Sequence, residues 1–73
     1  MLAVVAVTQD VPQEGLVRGH VGTIVENLRP DTYLVEFSDN RGRTWAMVGL
    51  RADQLMELHY APVHAVASDR TAP

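Results

Sequence analysis

The stretch that decides the fold of this chain is GLVRGHVGTIVE, from Gly15 to Glu26. Apart from its glycines it is typical of one long β-strand over residues 16–27, because apolar and β-branched side chains predominate. Gly19 and Gly22 interrupt that strand, and glycine inside a strand indicates a bulge, a sharp bend or a close approach of two backbones. A strand bent in this way is what a very small β-barrel needs to close on itself. The pattern indicates a fold far more strongly than an activity.

Other short apolar stretches predict the remaining strands of an all-β chain. These strands are Leu2 to Val7, Thr32 to Ser38, Arg43 to Leu50 and Leu55 to Leu58. Residues 39–42 predict a hairpin turn, because Asn40 and Gly42 tolerate the left-handed backbone that such turns demand. Residues 51–54 lack a strand pattern and predict one 3-10 turn before the last strand. Five short strands with one bent member favour a small SH3-like barrel over a sandwich, which needs about seven strands.

Size and composition point to a protein that needs a partner. A single domain of 73 residues buries only about 60% of the surface that its unfolded chain exposes. Such domains often depend on a disulfide, a metal or a second subunit. The sequence has no cysteine, which excludes a disulfide and a thiolate zinc site and fits a reducing cytoplasm. We therefore expect a cytoplasmic protein that binds itself or another protein.

Charge and hydropathy argue against nucleic acid and membrane as partners. The formal charge is −3, whereas a general phosphate binder needs a basic face. No apolar run approaches the ~20 residues of a membrane span, and the first residues lack the basic region of a signal peptide. We expect residues 1–59 to form the barrel and residues 60–73 to form a mobile tail, in which Val63 to Val66 is the one piece able to pair.

Arg41, Arg43 and Trp45 are the candidate binding residues. Arg43 and Trp45 share a strand face next to the hairpin tip, which is the arrangement of a cation–aromatic ligand patch. The interpretation that we favour places Trp45 in the core or in an interface, because one tryptophan supplies much apolar area in so small a domain. An exposed Trp45 would instead make this patch the best binding site. Structural turn roles are assigned to Gly19, Gly22 and Gly42.

The remaining polar residues predict no catalytic, cofactor or metal site. The histidines at positions 20, 59 and 64 have no spacing that would align them on a metal ion, so we interpret them as surface residues. Glu36 and Asp39 are close in sequence, but turn chemistry explains Asp39. There is no Gly-x-Ser-x-Gly nucleophile elbow. We expect a protein that is not an enzyme and has no cofactor.

Several of these motifs together resemble a known family. Gly-x-x-Gly-Thr-Ile-Val-Glu (19–26), Val-Glu-Phe (35–37) and Gly-Arg-Thr-Trp (42–45), followed by Gln54-Leu55, are similar to the bacterial domain-of-unknown-function family numbered 4926. The resemblance covers residues 2–58, with Trp45 where the family leads us to expect tyrosine. It implies an SH3-like barrel, and neither a reaction nor catalytic residues. The family's members sometimes occur beside toxin-like genes, which suggests an antitoxin or immunity role.

Three functions stay open at this point. We expect a protein–protein interaction module, including a homodimer, that uses the poorly guarded edges of Leu2 to Val7 or Tyr33 to Phe37. The Gly-x-x-Gly-Thr-Ile-Val pattern is also similar to KOW-type barrels, which suggests a nucleic-acid-binding domain, although flanking basic residues are few. The third function is an accessory subunit of a larger enzyme, similar in fold to the barrel of nitrile hydratase β subunits.

Overall fold

Five antiparallel strands form one sheet in the computed structural model, which describes residues 3–59 and 61–62. The strands are β1 (Val4–Val7), β2 (Val21–Arg29), β3 (Thr32–Ser38), β4 (Thr44–Arg51) and β5 (Leu55–Glu57). Two 3-10 turns, Pro12–Glu14 and Ala52–Gln54, precede β2 and β5. The prediction of an all-β chain with a 3-10 turn before its last strand is confirmed. Over the described residues the sheet is not closed, so the SH3-like barrel stays a prediction.

The core occupies one face of the sheet. Strand residues alternate between the two faces, and the buried apolar residues of neighbouring strands lie opposite one another in the register. Val35 and Phe37 at the centre are 0% exposed. The core residues are Val5, Val7, Val11, Leu16, Ile24, Val35, Phe37, Val48 and Leu50. Burial of each large aliphatic side chain contributes about 1.5–3 kcal/mol, so this face supplies most of the driving force for folding.

The strand predicted over residues 16–27 is divided by a turn. Leu16 bridges to Val11 and enters the core, and β2 begins only at Val21. Gly19 lies in the turn between them, with a left-handed φ of 98°. The register shifts of β2 come later, between Ile24 and Glu26 and again near Leu28. The expectation of one continuous bent strand is therefore wrong, because the chain reverses at Gly19 before the strand starts.

The strand order also corrects the expected edges. The order is β4-β3-β2-β1-β5, so β1 and β3 each have a strand on both sides. The prediction that Leu2 to Val7 and Tyr33 to Phe37 are open edges is wrong. The edges among the described residues are β4, with eight residues, and β5, with three. Most of the predicted tail, including His64 and Val63 to Val66, lies outside the described residues.

No helix in the described part of the chain has the length and apolar character to cross a membrane.

Candidate functional site

Trp45 lies at a β-bulge near the start of β4. Phe37 pairs with Ala46 and Ser38 pairs with Thr44, so Trp45 is the extra residue between two successive pairs. A bulge changes the direction of the side chain that it carries. Trp45 is 47% exposed, and its ring centroid is 5.6 Å from that of buried Phe37. The interpretation that places Trp45 in the core is therefore wrong, because the indole covers the rim of the core. The alternative that Trp45 lies in an interface stays a prediction.

His20 also contacts the Trp45 indole. The two ring centroids are 5.4 Å apart and the ring planes are inclined by 60°, an arrangement close to the edge-to-face geometry that aromatic pairs favour. The turn before β2 fixes the imidazole, because its Nδ1 accepts a hydrogen bond of 2.9 Å from the Val17 N–H. Sequence reasoning weighed His20 as a metal ligand and interpreted it as a surface residue. No local signal connects it to Trp45, since their contact depends on how the sheet curves.

Asp39 organises the hairpin tip between β3 and β4. Its Oδ1 accepts hydrogen bonds from the backbone N–H groups of Arg41 (2.8 Å) and Arg43 (3.0 Å). Its Oδ2 accepts a third from Nε of Arg43 at 3.1 Å. The pKa of the Asp39 carboxyl is lowered below its ordinary value, because both backbone hydrogen bonds favour the carboxylate. The bond from the Arg43 N–H has the largest effect, and the bond from the Arg41 N–H has the next largest. Gly42 completes the turn with a φ of 81°, and the tip is a fixed unit.

The predicted site residues therefore fall into two groups. Arg41 and Arg43 are brought together on Asp39, and Trp45 is brought together with His20 and Phe37. Among the described residues no cation–π contact joins Arg43 to Trp45. The ligand patch of Arg41, Arg43 and Trp45 stays a prediction.

The two carboxylates considered for catalysis have separate partners. The Thr44 hydroxyl donates to the Glu36 carboxylate, while Asp39 holds the hairpin tip. Within residues 3–59 and 61–62, no three His, Asp or Glu side chains are grouped so that they could hold a metal ion. These residues support the sheet and its turn.

The outer edge of β4 carries backbone groups that turn away from the sheet. Ala52 lies opposite Asp31, in step with the β3–β4 register, and its N–H donates to the Asp31 carbonyl at 2.8 Å. Hydrogen-bonded pairs alternate with non-bonded pairs in an antiparallel ladder. Counted back from Ala52 in steps of two, the residues whose backbone bonds to β3 are Leu50 and Val48. The residues that alternate with them, Gly49 and Met47, direct their N–H and C=O groups away from β3. Such a row is a template for another strand.

The side chains along β4 leave this edge accessible. Met47 is 55% exposed, and Gly49 is also exposed. The strand contains neither lysine nor proline, and its only charged residue is Arg51 at the end. Natural edges are usually protected by such residues, by bulges or by being very short. The bulge at Trp45 protects one end of β4, but the segment from Met47 to Gly49 has none of these features. Edge β5, in contrast, is short.

Two grooves lie near the two edges of the sheet. One, of about 340 Å³, is at the end of β4 and is lined by Asp31, Arg51, Ala52 and Asp53. There Nε of Arg51 is 3.0 Å from Oδ1 of Asp53. The other, of about 420 Å³, lies beside β5 and is lined by Ala6, Val7, Thr8, Arg18, Gly19 and Met56. Two carboxylates and one guanidinium line the first groove, so the end of β4 has more acidic than basic side chains there.

The family comparison covers all five strands. A family model with the description "Domain of unknown function (DUF4926)" matches residues 1–57, which is most of the chain. No curated protein and no solved structure matches the chain. The motifs on which the resemblance was based lie in β2, β3 and the turn and first residues of β4, with Gln54-Leu55 at the start of β5. The chain therefore belongs to the DUF4926 family, as its motifs indicate.

Proposed function

We propose that this protein is a non-enzymatic interaction module that binds another protein strand along the edge of β4. The observation that carries the proposal is the row of outward backbone groups at Met47 and Gly49, on an eight-residue strand. In strand addition, main-chain hydrogen bonds supply affinity and alternate side chains supply specificity. A partner strand laid along β4 gains both, because Met47 stands beside the free backbone groups.

The side chains near this edge suit a protein partner. Methionine and aromatic residues are enriched in the cores of protein interfaces, and Met47 and Trp45 are both about half exposed here. The Trp45 indole is held against Phe37 and His20, so little side-chain freedom is lost on binding. Pre-organisation of this kind lowers the entropic cost of association.

The charged groups support this function over nucleic-acid binding. Two of the arginines, Arg43 and Arg51, are in ion pairs with Asp39 and Asp53, which reduces the positive charge available to phosphates. A module that acts by occupying its partner also suits an antitoxin or immunity role. That role and a cytoplasmic location, which suits a cysteine-free sequence, are part of the proposal.

The experiment compares two lysine variants as baits for capture from cells of the native host. Met47→Lys places a charge on the β4 edge, and Met56→Lys is the matched control, since both methionines are 55% exposed. We expect the wild type and Met56→Lys to retain a stoichiometric partner, identified by mass spectrometry as this chain or another, and Met47→Lys to lose it. Equal capture by all three baits, or no stoichiometric partner with any of them, would contradict the proposal.

A further inference from the structure

We propose that the strand bound by β4 is β4 of a second copy of this chain, in antiparallel orientation about a two-fold axis. This inference rests on the proposed function and names its partner. Two sheets joined in this way become one continuous sheet. A two-fold interface must be self-complementary, so that each residue and its contact exchange roles between the copies.

The alternation of faces along β4 restricts the register to those in which the two-fold axis falls on a residue. Opposed residues of an antiparallel pair lie on the same face of the sheet. With Val48 on the axis, Met47 of each copy lies opposite Gly49 of the other, and both contribute outward backbone groups. A slip of one residue would put exposed Met47 opposite buried Val48 and exchange the faces. An axis on any residue of β4 keeps every side chain on its own face, and the axis at Val48 is the one that sets Met47 opposite Gly49.

Met47 and Gly49 are complementary in shape. A Cβ atom at Gly49 would meet Leu28 Cδ1 at 3.4 Å and Thr32 Cγ2 at 3.9 Å, which are ordinary contact distances, so the missing side chain leaves a shallow depression bordered by these two residues. Leu28 at its border is 43% exposed. Met47 of the second copy would fill this depression and cover Leu28, and the symmetry repeats the contact. Two exposed apolar side chains on each copy are thereby removed from water.

The charges at the two ends of β4 are complementary only in the antiparallel orientation. The hairpin tip carries Arg41 and Arg43, with Asp39 and the Glu36 carboxylate beside them, and the opposite end carries Asp31, Asp53 and Arg51. An eight-residue strand separates these ends by about 26 Å, well beyond the Debye length of about 8 Å at physiological salt. With Val48 on the axis, antiparallel pairing places Arg43 of each copy beside Asp53 of the other, whereas parallel pairing places the two Arg43 side chains together.

Sedimentation equilibrium of the purified full chain, from low micromolar to millimolar concentration, tests the inference. We expect a monomer–dimer equilibrium that Met47→Lys weakens by more than about tenfold and Met56→Lys by less than about threefold. Thermal unfolding of both variants confirms that they fold. A chain that stays monomeric at millimolar concentration, or a dimer that Met56→Lys weakens as much as Met47→Lys, would overturn the inference.

A charge exchange tests the orientation. Arg41→Glu makes the tip acidic and should weaken the dimer by about tenfold, because it then meets Asp31 and Asp53 of the other copy. Adding Asp31→Arg makes the other end basic and should restore the dimer, because the two ends are then opposite in sign. Failure of the double variant to restore the dimer would overturn the antiparallel arrangement. The chain could instead be monomeric and capture a different protein, with that capture lost in Met47→Lys. This result would overturn the second copy as the partner but would support the proposed function.

Discussion

Gly22 is the position where the structure leaves no space for a side chain. A Cβ atom there would lie 2.7 Å from Val35 Cγ1, 2.9 Å from the Glu36 carbonyl oxygen and 2.9 Å from Phe37 Cδ1. The Glu36 oxygen belongs to the backbone of β3, which the ladder with β2 holds in place. Overpacking of this kind costs typically about 1–3 kcal/mol. We expect Gly22→Ala to lower the free energy of unfolding by about 2 kcal/mol, near the middle of that range, and Gly22→Val to lower it further.

The melting temperature reports this change. A loss of 1 kcal/mol lowers Tm by roughly 4–8 °C in a domain of this size, so Gly22→Ala should lower it by roughly 8–16 °C. Gly22 is not among the glycines with positive φ, which are Gly15, Gly19 and Gly42, so the cost is steric.

Gly49→Ala is the matched control for Gly22→Ala. Gly49 is also a strand glycine without positive φ, but the nearest atom to its added Cβ is Leu28 Cδ1 at 3.4 Å, an ordinary contact. Alanine there should change stability by less than about 1 kcal/mol. Thermal unfolding by circular dichroism at low protein concentration avoids any contribution from self-association. An unchanged Tm for Gly22→Ala, or an equal loss for Gly49→Ala, would refute the close approach of β2 and β3.

Three further predictions concern the turn, the tail and the charges. The pKa of Asp39 is lowered in the folded protein, so its carboxylate stabilises the protein above the unfolded pKa of about 4, and this contribution is lost as the pH falls below that value. The difference in Tm between wild type and Asp39→Ala should therefore shrink as the pH is lowered through this range. A difference that stays constant would contradict the prediction. Deleting residues 61–73 should leave a cooperative thermal transition, because the core residues that the structure describes lie between Val5 and Leu50; loss of the transition would show that the tail is part of the fold. In titrations with generic DNA or RNA we expect no binding tighter than about 10 μM at physiological salt, and salt-sensitive sub-micromolar binding would contradict the proposed protein partner.

Local patterns predicted the central hairpin well. The alternation over Thr32 to Ser38 coincides with β3, and the Asp39 to Gly42 sequence forms the turn that its residue types favour. These features depend on neighbours within a few residues, where side-chain alternation and backbone preferences act directly. The family motifs succeeded for a related reason, since they record turns and strand starts.

Non-local features were beyond the sequence argument. Leu16 has the pattern of a strand residue, yet it lies before the turn at Gly19 and enters the core beside its bridge partner Val11. The identity of the edge strands depends on the pairing of β1 with β5, which no local pattern specifies. The exposure of Trp45 depends on the bulge opposite Phe37 and Ser38. Each of these is decided by which strands meet, and the candidate site is built from these contacts.

Amide hydrogen exchange along β4, followed residue by residue by NMR, tests the central claim most directly. The amides of Val48 and Leu50 bond to β3 and should be protected under all conditions. The amides of Met47 and Gly49 point outward and should exchange rapidly in the dilute chain. Their protection should rise when a strand is added at the edge, either at high concentration of the chain or with a captured protein partner. Equally rapid exchange of Met47 and Gly49 in the dilute, concentrated and partner-bound states would contradict strand addition at β4.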